Sequence, residues 1–225
     1  PQQVVWGAMK QCYSEDGVAD RETPPESAAG AAVVNTLLSG DRGHYGPFEH
    51  PTISFATEGF PHSVMQQART HRVGVSFDVQ SGRYTGKRIE DVAAGDRTPE
   101  SVFYLRPVGS YTNRHGHRYE VTLEQRQTDI DLCKYLATHY RDRVVGNGYA
   151  PEHARGLIPF DVRQNFVVTF NARSLMHFLD LRAKADAQPE IQALAEMMFH
   201  EFQSWMPEVA AWYEKRRLGR GKLAP

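Results

Sequence analysis

The chain has 225 residues, 40% of them hydrophobic and 24% charged, with a formal net charge of −1. That length gives one large domain, or two small ones, a real core. The near-neutral charge argues against a general nucleic-acid binder, whose affinity rests on a basic surface.

Taken in chain order, residues 1–27 are polar with scattered prolines and are predicted to loop over the surface. "AAGAAVVNTLLSG" predicts a helix from Ala28 to Leu38, stopped by Gly40. "GHYGPFEHPTISFATEGF" then turns into a strand, with Ile53 and Phe55 on one side. "PHSVMQQARTHR" reads as a helix whose Val64, Met65 and Ala68 form an inward stripe, with Pro61 in its first turn. Val73, Val75, Phe77 and Val79 alternate as a strand does. Residues 85–120, broken by Gly, Pro and Asp-Arg, are expected to be irregular and to cover something. A long helix is predicted from Leu123 to Val145, closed by "GNG". A short helical turn follows, then a strand ending near Phe170, then two helices, the second opened by Pro189. Strands and helices do not alternate as parallel βαβ units require, so the expected fold is α+β, one domain over 1–225 with a mainly antiparallel sheet flanked by long helices.

No apolar run approaches a membrane span, and the N-terminus lacks a basic-then-apolar signal, so a cytoplasmic address with no membrane partner is expected. Two cysteines, Cys12 and Cys133, cannot form a disulfide framework, and Cys133 falls on the apolar side of its helix. There is no Walker A pattern, no GxGxxG between strand and helix, and no zinc-protease pair after His200. His115 and His117 lack a third ligand, so no metal is expected.

The cations are twenty arginines against six lysines. Arginine's planar fork suits carboxylates and phosphates in two-point contact. Codon bias accounts for most of that excess but not for its clustering. In "RTHRVGVSFDVQSGRYTG", Gln67 just upstream and His71 share a helix face, and Ser81-Gly82-Arg83 makes a tight turn whose amides and guanidinium suit a phosphate. A hairpin turn with solvated charges is the competing reading, and spacing does not choose between them.

The second cluster is "NARSLMHFLDLR". Leu175, Met176, Phe178, Leu179 and Leu181 make this helix apolar nearly all round and therefore buried, yet it carries Asn171, Arg173, His177 and Arg182. Asn171 and Arg182 are expected to share one face, and Arg173 and His177 another. A buried guanidinium needs an acid, a carbonyl cluster or a ligand. Asp180 or Glu190 would serve as the acid, so a structural salt bridge stays open beside a ligand.

The ordered blocks "GPFEH", "RTHRVGVSFDVQSGRY", "ARGLIP" and "NARSLMHFLDLRAKADAQPEI" resemble the flavin-dependent thymidylate synthases from about His44 to Ile191. Two features depart from the family pattern. Thr70 stands where the usual Arg-His-Arg triplet begins, with Arg69 beside it, and eight residues rather than seven precede Ser81. The acidic residue that the family places ahead of this serine is replaced by Val79 or Gln80.

The resemblance implies reductive methylation of dUMP to dTMP through bound FAD, with NADPH and methylene-tetrahydrofolate as co-substrates. It implies a homotetramer with shared active sites. Carried over position by position, it assigns dUMP to Gln67, Arg69, Gln80, Ser81, Gly82, Arg83, Arg155 and Arg182, with Arg155 supplied by a neighbouring subunit. It assigns the flavin to Glu49, Thr70, His71, Arg72, Asn171, Arg173 and His177, and the catalytic role to Arg182.

The chemistry agrees with that role. Making uracil carbon 5 nucleophilic develops negative charge on the ring carbonyls, which a buried guanidinium stabilises without a cysteine adduct. The cofactor carries the electron and carbon chemistry, which leaves orientation and electrostatics to the protein. Other readings at this stage are methylation of another pyrimidine nucleotide such as UMP, a flavin- or nucleotide-binding module without turnover, and an RNA binder disfavoured by the low net charge.

Overall fold

The computed structural model describes residues 1–19, 21–113 and 115–220. Its first element overturns an expectation. The N-terminal segment is not a surface loop but helix α1, Gln2–Cys12, because Val5 and Met9 stand four apart and both go into the core. Gln2 is buried as well, its amide nitrogen donating to Glu208 Oε2 at 2.6 Å and its oxygen accepting from Val209 N at 3.3 Å. A polar average concealed a two-residue apolar stripe. Helix α2, Glu26–Val33, widens into a π-type turn over Val34–Leu38 and ends at Gly40, whose φ of 71° is left-handed.

The described residues divide into two compact units. The first comprises residues 1–55, 67–77 and those from 167 onward. Its helices are α1, α2, α8 (Ala172–Arg182), α9 (Pro189–Trp205) and α10 (Pro207–Arg216). The two helices expected after Asn171 are three, since Pro207 lacks the N–H that would continue α9 and begins a new helix. Leu175, Met176, Phe178, Leu179, Leu194, Phe202 and Tyr213 are all within 1% of complete burial. Burying each such side chain contributes on the order of 2 kcal/mol.

The second unit comprises residues 56–66 and 78–166. Here α4 (Lys87–Ala94) packs on α6 (Leu123–Arg141), and α5 (Pro99–Val102) joins them. Ile89, Val92, Val102, Phe103, Cys133, Ala137, Tyr140 and Ala154 form the core. Segment 85–120 is therefore far more regular than its composition suggested. Ile89 and Val92 give α4 an inward stripe, and β3 (Gly109–Thr112) pairs antiparallel with β4 (Arg118–Val121) in register Gly109↔Val121 to Thr112↔Arg118. Helix α6 starts where predicted, behind a capping box in which Thr122 Oγ1 accepts from Gln125 N and Gln125 Oε1 accepts from Thr122 N. The wider turn Asp142–Gly146 extends it to the predicted "GNG" end.

Strands β1 (Thr52–Pro61), β5 (Arg163–Asn171) and β2 (Val75–Val79) form a sheet in the order β1-β5-β2. Partner numbers fall as the chain rises: Ser54 meets Thr169 and Thr57 meets Phe166, so β1 and β5 are antiparallel. Gln80 N bonds Asn165 O and Asn171 N bonds Gly74 O, which gives β2 the same sense against β5. Pro61 closes β1 rather than entering the helix, and α3 is His62–Ala68. The fold is α+β with antiparallel sheets. Among the described residues no helix is long and apolar enough to cross a membrane.

Candidate active site

The second cluster, "NARSLMHFLDLR", starts at the junction between β5 and α8. Asn171 ends the strand and caps the helix, its Oδ1 accepting from Ser174 N at 2.8 Å. It therefore lies outside the helical turn and not on a helical face with Arg182, as spacing had suggested. Its own N–H donates to Gly74 O at 3.0 Å, and Ser174 Oγ donates to Val73 O at 2.6 Å. Gly74 has φ 65°, and a Cβ there would come within 2.2 Å of Asn171 Nδ2 and 2.5 Å of Ser174 Oγ. Only glycine lets this turn lie so close to the helix start.

Beside the junction is a cavity of about 460 Å³, within the size range of small-molecule sites. Glu49, Thr70, His71, Arg72, Asn171, Arg173 and His177 all line it. Arg173 Nη1 meets Glu49 Oε1 at 2.5 Å, joining residues 124 apart in sequence. The pair is half-exposed, so it orients two polar groups more than it stabilises the fold. His177 stands edge-on to His71 with ring centroids 5.4 Å apart. Its Nδ1 is buried without a hydrogen-bond partner among the described residues. Sequence reading passed over Ser174, although "NARS" has the N-cap-to-N3 spacing that would have found it.

Arg182 closes α8. Its Nε donates to His71 Nε2 at 3.1 Å, and its Nη2 donates to Gln67 O at 3.1 Å and to Thr70 Oγ1 at 2.9 Å. All three acceptors are neutral, and among the described residues Nη1 has no hydrogen-bond partner. The salt-bridge alternative through Asp180 fails: that carboxylate is buried against Arg217 Nη2 at 2.6 Å and Tyr213 Oη at 2.9 Å. Because a guanidinium donates to it, His71 Nε2 must be the acceptor nitrogen, with the proton on Nδ1. Burial pushes His71 down to about 4, and the charges of Arg182 and His177 add to this, so the ring is neutral at neutral pH. Burial also lowers the Arg182 pKa, but an arginine in this setting keeps its charge.

The predicted phosphate turn lies in the second unit. Ser81 O accepts from Tyr84 N at 3.0 Å and Thr85 N at 3.1 Å, and Ser81 Oγ accepts from Arg83 N at 3.3 Å, so the turn is as tight as expected. Arg83 Nε lies 3.6 Å from Glu152 Oε1 on α7 (Pro151–Ala154). Arg155, expected from a neighbouring subunit, lies against this turn in its own chain, with Nη1 3.4 Å from where a Gly82 Cβ would be. Gln80 Oε1 is buried without a partner among the described residues. Arg69 is exposed on the turn after α3, and the Gln67 side chain donates to Gln188 Oε1 at 2.5 Å.

Cys133 is buried in α6, where desolvation first, then Asp129 and Glu100, push its thiol up to about 11. It is no thiolate at neutral pH. Cys12 is exposed at the end of α1. His115 and His117 lie in the β3–β4 turn, where both backbone amides donate to Asn113 Oδ1.

A family model described as "Thymidylate synthase complementing protein" matches residues 1–208. The flavin-dependent thymidylate synthase of Halobacterium salinarum is 35% identical, covering 100% of this chain and 96% of its own. That of Haloarcula marismortui is 36% identical with the same coverage. Among solved structures, Thymidylate Synthase X of Helicobacter pylori with FAD and dUMP superposes with TM-score 0.68 at 17% identity, covering 89% of this chain and 88% of that one. The UMP/dUMP methylase PolB of Streptomyces cacaoi bound with 5-Br dUMP gives TM-score 0.70 at 22% identity, over 100% of this chain and 93% of that one. At those identities the two structural matches speak for the fold alone.

Proposed function

The chain belongs to the thymidylate synthase complementing family, the flavin-dependent thymidylate synthases, and from that premise we propose that it methylates dUMP reductively to dTMP through bound FAD. Methylene-tetrahydrofolate is assigned as carbon donor and NADPH as electron donor. The observation that carries the reading is Arg182, a partly buried cation held by three neutral acceptors, with Nη1 left over among the described residues. Charge developing on a uracil carbonyl would meet a full positive charge already oriented there, worth on the order of 3 kcal/mol in the transition state.

The cavity residues fit part of a flavin. Arg72 brings positive charge, Arg173 is paired with Glu49 at the wall, Thr70 and Asn171 bring polar atoms, and His177 Nδ1 is a buried polar atom lacking a partner among the described residues. When bound, FAD would supply the electron-transfer chemistry, which leaves binding and orientation to these residues. The Ser81-Gly82-Arg83 turn, with Arg155, Gln80, Gln67 and Arg69, is assigned to the nucleotide phosphate and sugar. The guanidiniums of Arg83 and Arg155 suit a phosphate dianion. A homotetramer with shared sites is part of the proposal, as is treatment of the two units as one domain, which the family match over 1–208 supports.

The test is flavin absorbance of the purified protein, followed by dTMP formation from dUMP, the folate and NADPH, with UMP run in parallel. Arg182→Ala is expected to retain flavin and to lose turnover by at least about a hundredfold. Turnover of UMP alone would change the substrate. A colourless protein that binds nucleotide without turnover would make it a binding module.

A further inference from the structure

The way Arg182 is held raises a question that its catalytic assignment leaves open. Thr70 is exposed and its methyl fills no core, so packing does not explain it. Its hydroxyl, however, has both hydrogen-bond roles assigned. Thr70 Oγ1 donates to Gln67 O at 2.7 Å, which turns its lone pairs toward Arg182 Nη2 at 2.9 Å. Gln67 O accepts from that same Nη2 at 3.1 Å, so Thr70, Gln67 and the guanidinium close a small ring. On the adjoining edge His71 Nε2 takes the Nε–H. An arginine or lysine at position 70 could only donate, and would repel Arg182 rather than orient it.

We infer that Thr70 and His71 are positioning residues for Arg182: two neutral acceptors that pin the Nε–Nη2 edge of the guanidinium and leave its Nη1 and its whole charge for the pyrimidine. Carboxylates would have held the side chain as firmly but would have shared that charge. This role is distinct from contact with the cofactor, and it rests on the reading of Arg182 given above.

Thr70→Val keeps the shape and removes the acceptor, while Thr70→Ser keeps the acceptor and removes the methyl. In the holoenzyme at saturating FAD, Thr70→Val is expected to lower kcat about tenfold, the loss of one such hydrogen bond, with KM for dUMP and melting temperature near wild type. Thr70→Ser is expected to restore kcat. A Val variant with wild-type kcat, or a Ser variant as slow as Val, would overturn the inference while leaving Arg182→Ala to decide the function separately. A second readout needs no turnover. The Arg182 guanidinium protons, followed by nitrogen-15 NMR, should exchange slowly in wild type and faster in Thr70→Val. Equal exchange would sink the positioning role even in an active enzyme. Protection lost on substitution, in a protein that makes no dTMP, would keep the role and remove the substrate assignment.

Discussion

At the scale of single residues, His71 is the side chain whose ionisation matters most. Its folded pKa of about 4 lies below the ordinary 6.5, so the unfolded chain takes up a proton that the folded chain refuses. The stability contribution of neutral His71 is thus fully present above about pH 6.5 and is lost as pH falls toward 4. The total is on the order of 3 kcal/mol for a group this buried. Protonation would also put two cations face to face, since Arg182 Nε points at the acceptor nitrogen. We expect the urea midpoint of wild type to fall more steeply between pH 6.5 and 4.5 than that of His71→Gln. Parallel slopes would mean that His71 keeps an ordinary pKa in the fold.

At the scale of elements, the β5–α8 junction sets the cavity wall. Asn171→Ala removes the helix cap and is expected to cost about 1 kcal/mol. Gly74→Ala should cost more, about 2–3 kcal/mol, because it combines left-handed backbone strain with displacement of the same cap. Both should weaken flavin binding, since Asn171 and Ser174 line the cavity. Denaturant midpoints and flavin titration check this. A Gly74→Ala variant milder than Asn171→Ala would show that the turn has room the distances deny. Helix α1 and the α4–hairpin segment carry the complementary lesson. Each has a legible stripe, Val5 with Met9 and Ile89 with Val92, which a polar or Gly- and Pro-broken context had obscured.

At the scale of the whole molecule, the residues assigned to one nucleotide fall into two units, Arg182 in the first and Arg155 with the Ser81 turn in the second. A homotetramer with shared sites makes a specific forecast. Arg155→Ala and Arg182→Ala, each inactive alone, should regain measurable dTMP synthesis when co-assembled, because some sites then inherit both intact arginines. Mixed tetramers that stay inactive would mean that each chain completes its own site.

Much of this protein was legible in its linear order. The α+β class, the long α6 helix and the alternating strands follow from hydrophobic period, caps and turn residues, all of them local or pattern-borne. Tertiary structure alone decided who partners whom. Asp180 and Glu190 were as near to Arg182 in sequence as any acceptor, yet Asp180 went to Arg217 and the guanidinium went to Thr70, His71 and the Gln67 carbonyl. Those acceptors lie more than a hundred residues away in the chain. Long-range pairing of this kind depends on chain topology and on which charge loses its water, and neither is written in the spacing of residues along one segment.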